Sequence, residues 1–154
     1  MIPIVDHVLG FFSSDLAVDL GTANTLIFVK GKGIVIREPS IVALHRKTKK
    51  VVAIGTEARK MIGRTPINMI TVKPLKDGVI SDYDTTLAML SYFVKKVHEK
   101  PGRRISLPRP RIILGVPSQV TEVERRALLD VAIDSGAREA YLVEEPMAAA
   151  IGAG

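Results

Sequence analysis

"DLAVDLGTANTLIFVKGKG", residues 15–33, sets two apolar runs on either side of a tight polar turn. Runs of this length, rich in Val, Leu, Ile and Thr and split by Gly and Asn, read as a strand–turn–strand unit. Gly21 lets the backbone bend closely, so that neighbouring N–H groups can point at an anion. Thr22, Asn24 and Thr25 add short donors at the same turn. Asp19 stands on the first strand just ahead of it. A carboxylate there would repel a bare phosphate, unless Mg²⁺ lies between them directly or through water. The residues alone therefore leave two readings open: one half of a Mg²⁺–nucleotide clamp, or a plain hairpin whose Asp and Asn cap the turn. The chain has neither a Walker Lys-Ser/Thr loop nor a Gly-x-Gly-x-x-Gly fingerprint.

Beyond the turn, "GIVIRE", "SIVALHR", "VVAIG" and "INMITV" read as further strands, "TEARKMIG" as a short helix and "KPLKDG" as a punctuated loop. From Ser81 the period changes. Tyr83, Leu87, Leu90, Val94 and Val97 form the stripe of an amphipathic helix. Ser81 and Asp82 offer N-caps, Lys95, Lys96 and Lys100 suit the C-terminal end of its dipole, and Pro101-Gly102 stops it. "RIILGV" is an unbroken apolar run, as in a strand buried on both faces. "TEVERRALLDVAIDSGA" is a second helix, with Thr121 and Glu124 spaced as a capping box and Gly136 as its stop. "EAYLV" is another strand, and "EEPMAAAIGAG" opens a third helix. Strands first, then strand alternating with helix, predict an α/β chain with a mixed sheet.

The 154 residues suffice for one domain with a real core, which buries roughly two-thirds of its unfolded surface at this size. Hydrophobic content of 47% and charged content of 25% are those of an ordinary globular chain. The net charge of +6 suits an anionic partner without choosing among nucleotide, nucleic acid and acidic lipid. Only 5% of residues are aromatic, which leaves few stacking platforms for single-stranded nucleic acid. With no cysteine, disulfides, thiolate catalysis and Cys-based zinc are excluded, in keeping with a reducing cytoplasm. His7, His45 and His98 have no metal-ligand spacing and read as surface residues. Arg125 and Arg126 read as a solvated face, with Glu122 and Arg126 spaced for an i,i+4 pair. No apolar run approaches the ~20 residues of a spanning helix. In "MIPIVDHVLGFFSSD", Ile4, Val5, Val8, Leu9 and Phe12 share one side of a helix, without the basic start of a signal peptide. That segment is either disordered or core-packed, or a helix lying in a membrane interface.

"DLGTANT" at Asp19–Thr25 resembles the first phosphate motif of the actin, sugar-kinase and DnaK-type chaperone superfamily. The wording "TANT" is similar to the MreB family of bacterial actin-like proteins, as are "GVISDY" at Gly78–Tyr83, "VERRA" at Val123–Ala127 and "EEPMAAAIGAG" at Glu144–Gly154. "TANT" and the last motif, the most specific, argue against a DnaK-type chaperone lobe. The resemblance runs from Asp15 to the end. It implies the first lobe of an actin-like (ribonuclease H-like) ATPase, incomplete here, with the second lobe absent. Subdomain IA would take residues 15–42 and 85–154, subdomain IB residues 43–84, and residues 1–14 a candidate membrane-binding helix. ATP with Mg²⁺ would bind between the lobes. Gly21, Thr22, Ala23 and Asn24 would contact the phosphates, Asp19 would help to place Mg²⁺ through water, and Glu145 would position the attacking water. A helix N-terminus just before Pro146 suits that role.

The same resemblance implies slow ATP hydrolysis by the whole protein and little or none by this chain alone. It implies self-assembly into filaments, with subdomain IB helping to contact the next subunit. It places the protein in the cytoplasm, on the inner face of the cytoplasmic membrane, where it would organise the cell-elongation and wall-synthesis machinery and set rod shape, with no nucleic-acid partner. Membrane contact would come from the N-terminal segment or from "GRRISLPR", where Ile105 and Leu107 stand among Arg103, Arg104 and Arg109. The rival outcomes are the chaperone lobe and an inactive truncated product.

Overall fold

The computed structural model describes residues 15–64, 67–98 and 109–154. In chain order the strands are β1 Leu16–Leu20, β2 Asn24–Val29, β3 Gly33–Pro39, β4 Val42–His45, β5 Val51–Ile54, β6 Met69–Val72, β7 Leu75–Lys76, β8 Val79–Ile80, β9 Arg111–Val116 and β10 Glu139–Glu144. The helices are α1 Thr56–Lys60, α2 Tyr83–His98, α3 Glu122–Asp134 and α4 Glu145–Ala153. The main sheet has five strands in the order β10-β9-β1-β2-β3. Strands β1, β2 and β3 pair antiparallel as a meander, whereas β1, β9 and β10 pair parallel through helical crossovers. The mixed sheet expected from the order of elements is therefore present. A three-stranded sheet, β5-β4-β6, is inserted between β3 and α2.

The core lies on one face of the main sheet. Along β1, Leu16, Val18 and Leu20 are buried while Ala17 and Asp19 face the other way, the period-2 alternation of a pleated strand. With Ile27, Val29, Ile112, Leu114 and Val116 they pack on Met89, Leu90 and Phe93 of α2 and Leu128, Val131 and Ala132 of α3. The buried stripe of α2 runs through Thr86, Met89, Leu90, Phe93 and Val94. It sits about one position away from the expected line, because Met89 and Phe93 are the bulkier anchors. Leu87, Val97 and Tyr83 pack at its border.

Four expectations are corrected here. Strand β9 is not buried on both faces: its pattern alternates, and Ile113 is 40% exposed. Among the described residues α2 and α3 pack on one face; on the other, Ile113, with Tyr141 level with it, lies beside Phe28 and Ile34 in a groove that α4 borders at Ala148 and Ala149. The stretch "KPLKDG" forms a hairpin, β7–β8, whose Asp77 and Gly78 both have positive φ, as a two-residue turn of the right twist requires. Arg126 pairs with Asp130 at 2.9 Å instead of Glu122. His98 is not a plain surface histidine, since its Nδ1 lies 2.7 Å from the Val94 carbonyl and its Nε2 is buried. The capping box at Thr121 and Glu124 and the cap of α2 by Asp82 form as read.

The open apolar face carries a prediction. This chain alone is expected to self-associate, because contiguous apolar surface is normally covered. A Phe28→Thr, Ile113→Thr double variant is expected to lower light scattering at equal concentration. Unchanged scattering would locate the association elsewhere.

Candidate functional site

Strand register brings the sequence-selected groups together. Asp19 is level with Leu26 on β2 and with Gly115 on β9, and Gly115 is level with Val143 on β10. Glu145 follows directly on the end of β10, at the first position of α4. Asp19, Gly115, Val143 and Glu145 accordingly line one groove of about 700 Å³ on the open face, walled by Phe28 and Ala148. Gly115 and Glu145 are close neighbours there: a Cβ built on Gly115 would lie in ordinary van der Waals contact with the Glu145 side chain, at 3.6 Å. A contiguous cavity of about 400 Å³, sharing Asp19 and Leu26, is lined by Gly21, Thr22, Ala23, Asn24 and Arg37. Gly21 cannot be replaced without moving the turn, since a Cβ would lie 2.7 Å from the Asn24 carbonyl oxygen.

Burial alone pushes the Asp19 carboxyl above the ordinary aspartate range, and no cation or hydrogen bond among the described residues offsets it. One such carboxylate beside exposed turn donors fits Mg²⁺, which keeps most of its waters and takes few protein ligands. Among the described residues no cluster of three or more His, Cys, Asp or Glu could hold a metal by itself.

The two acids of "EEP" have different surroundings. Glu144 faces Arg125 at 3.6 Å. Glu145 faces the groove, and Pro146 occupies the first turn of α4, where its missing N–H costs nothing. The N-cap, Glu144, makes no side-chain cap hydrogen bond, so free N–H groups of the first turn remain for an anion.

Behind the turn stands Ser40, which the sequence reading missed, and Thr25, read there as a donor at the turn, faces it. Ser40 and Thr25 are fully buried. The Ser40 hydroxyl donates to the Gly21 carbonyl at 2.6 Å, and the Ser40 N–H donates to the Ala23 carbonyl at 3.0 Å. The Gly78 N–H donates to the Thr22 hydroxyl at 3.1 Å, across 56 residues. Further along, Glu38 accepts from the Thr56 N–H and hydroxyl and from Lys96, tying β3 to α1 and α2. Burial would raise the Glu38 carboxyl, but these bonds hold it below the ordinary range. No local pattern marks Ser40 or Glu38, because their partners are distant in sequence. The apolar residues proposed for membrane contact, Ile4, Val5, Val8, Leu9, Phe12, Ile105 and Leu107, lie outside the described residues.

Comparison with known proteins gives consistent matches. The family model "MreB/Mbl protein" matches residues 13–154. The chain is 53% identical over 150 residues to the cell shape-determining protein MreB of Pasteurella multocida, covering 95% of this chain and 42% of that protein. It thus spans under half the length of the curated relatives it matches. The crystal structure of Spiroplasma citri MreB5 bound to ADP superposes with a TM-score of 0.80 at 37% identity, over 92% of this chain and 41% of that one. The MamK double helical filament gives a TM-score of 0.74 at 24% identity over 92% of this chain and 43% of that one, which supports the fold alone.

Proposed function

The chain belongs to the MreB/Mbl family, and from that premise we propose that it forms the first lobe of an actin-like protein. The whole protein binds ATP with Mg²⁺, polymerises on the inner face of the cytoplasmic membrane and sets cell shape by organising wall synthesis. One observation carries the nucleotide half of this reading: Asp19, the Gly21–Asn24 turn and Glu145 all line two adjoining cavities at one end of the sheet. The name of the MreB5 structure, bound to ADP, supports it.

Each group has a distinct task. The turn offers backbone and short side-chain donors to the phosphates. Asp19 would hold Mg²⁺ through water, and the metal would supply neutralisation of phosphate charge. Glu145 holds the attacking water, by accepting a hydrogen bond from it, at the N-terminus of α4. Phosphoryl transfer depends mainly on such positioning and charge stabilisation.

The filament and membrane halves rest on other features. The inserted sheet β5-β4-β6, with subdomain IB at residues 43–84, contacts the next subunit. Strands β1 and β9 begin side by side, with Leu16 level with Ile112 and Asp15 held by Arg111 in a two-pronged pair at 2.7 and 2.9 Å. The described chain therefore enters β1 and β9 at the same end of the sheet, which is the end we propose faces the membrane. Among the described residues no helix is long and apolar enough to cross a membrane.

Calorimetric titration of Mg-ATP tests the reading, with this chain set beside a full-length form whose remainder is taken from a curated relative. The full-length form is expected to bind and this chain to bind more weakly. Equal, tight binding by both would overturn the two-lobe account, and binding by neither would overturn the nucleotide reading.

A further inference from the structure

Ser40 lies in the short link between β3 and β4, fully buried and outside both cavities. We propose that Ser40 is the positioning residue of the phosphate turn: it pins two of the turn's carbonyls from behind, so that the N–H groups of the same peptides face a nucleotide's phosphates. The proposal rests on the nucleotide reading given above and assigns a role within it to a residue that touches no ligand.

The geometry is specific. A trans peptide is planar, with its N–H directed opposite to its C=O. The Gly21 carbonyl shares a peptide with the Thr22 N–H, and the Ala23 carbonyl with the Asn24 N–H. Ser40 takes both carbonyls, one with its hydroxyl at 2.6 Å and one with its backbone N–H at 3.0 Å. Both partner N–H groups are thereby turned away from Ser40, toward the side where Gly21, Thr22, Ala23 and Asn24 line the cavity. A serine hydroxyl carries a single proton. Here that proton goes to Gly21, so Thr25, whose Oγ1 lies 2.9 Å from Ser40 Oγ, supplies the other hydrogen of the pair. The chain Thr25–Ser40–Gly21 is thus fully committed. Its members cannot turn over to offer a carbonyl to the cavity without leaving a buried hydroxyl unpaired, which is costly.

Electrostatics explains why such a device is needed. Carbonyl oxygens facing the cavity would repel phosphate, as the Asp19 carboxylate does. Glycine, which makes the turn possible, also makes it easy to flip. Fixing the peptide planes in advance removes that ordering cost from binding.

Ser40→Ala in the full-length form tests this, with affinity measured for Mg-ATP and, by competition, for adenosine, which has no phosphate. Mg-ATP is expected to bind about tenfold more weakly, the loss of one ordinary hydrogen bond, with adenosine unchanged. Ser40→Cys keeps the branching of the side chain, with a somewhat larger atom, and weakens the donor. It is expected to show the same selective loss, and it decides the matter if the alanine variant does not fold. A lower melting temperature with unchanged affinity for both ligands, or equal losses for both, would overturn the proposal and leave the nucleotide reading standing. Failure of the unmodified full-length protein to bind Mg-ATP would overturn both.

Discussion

Asp19→Asn in the full-length form is expected to weaken Mg-ATP binding by roughly 10–100-fold, the usual effect of losing a group that acts on a metal through its water shell. The same change is expected to raise the melting temperature of the nucleotide-free protein. The two effects share one cause. Burial raises the Asp19 carboxyl above its ordinary value, with no bond or cation among the described residues compensating. For an acid raised in this way, folding is favoured at low pH and loses stability as pH rises from the unfolded value through the folded one. At neutral pH the ionised group is a standing cost, and asparagine removes it. Glu38 has the opposite sign: its carboxyl is held low, so its contribution is present at neutral pH and is lost in acid.

A control sharpens the test. With EDTA present, ATP meets Asp19 with no metal between them, and the carboxylate repels it. Asp19→Asn is then expected to bind ATP as well as the unmodified protein, or better. If the variant weakened ATP binding equally with and without Mg²⁺, Asp19 would be shaping the turn rather than placing a metal. If it destabilised the free protein, the charge would have a partner that the described residues do not reveal.

Much of the site was legible because its signals are local. The run "LAVDL" alternates strictly, so Asp19 had to lie opposite the buried face of β1. Gly21 sits where only a bare backbone clears the Asn24 carbonyl. Glu145 precedes a proline that marks a helix start. The unread parts are those in which distance along the chain hides proximity. Ser40 and Gly21 are 19 residues apart, and Gly78 and Thr22 are 56 apart. A serine after a proline, or a glycine in "KDG", looks like any loop residue until a second strand is laid beside it. "RIILGV" misled for a related reason. An apolar run reports what a strand is suited to touch, and among the described residues one face of β9 leaves Ile113 40% exposed in an open groove.

The largest effect is expected from Glu145→Gln. In the full-length form, ATP hydrolysis followed by phosphate release should fall by roughly 10²–10³-fold, the range lost when a group that orients or deprotonates a nucleophile is neutralised. Glutamine keeps the shape of glutamate, so the groove that residue 145 lines persists. What goes is the negative charge, and with it the strong acceptor for the water's proton. Nucleotide affinity should change little, because the role proposed for Glu145 is toward the water rather than the phosphates. Folding stability should fall only slightly, by about 0.3–1 kcal/mol, the value of one acid in the first turn of a helix. Glu144→Gln supplies the contrast. Glu144 faces Arg125, so losing its charge should leave the hydrolysis rate nearly intact. If both variants lost activity equally, the helix start as a whole would be the active element and Glu145 would hold no special water. If Glu145→Gln lost ATP binding in step with hydrolysis, its carboxylate would be serving the ground state. If hydrolysis alone collapses, filaments of the variant should outlast those of the unmodified protein in ATP, since the step that changes the bound nucleotide would be gone while the lobes still close on it.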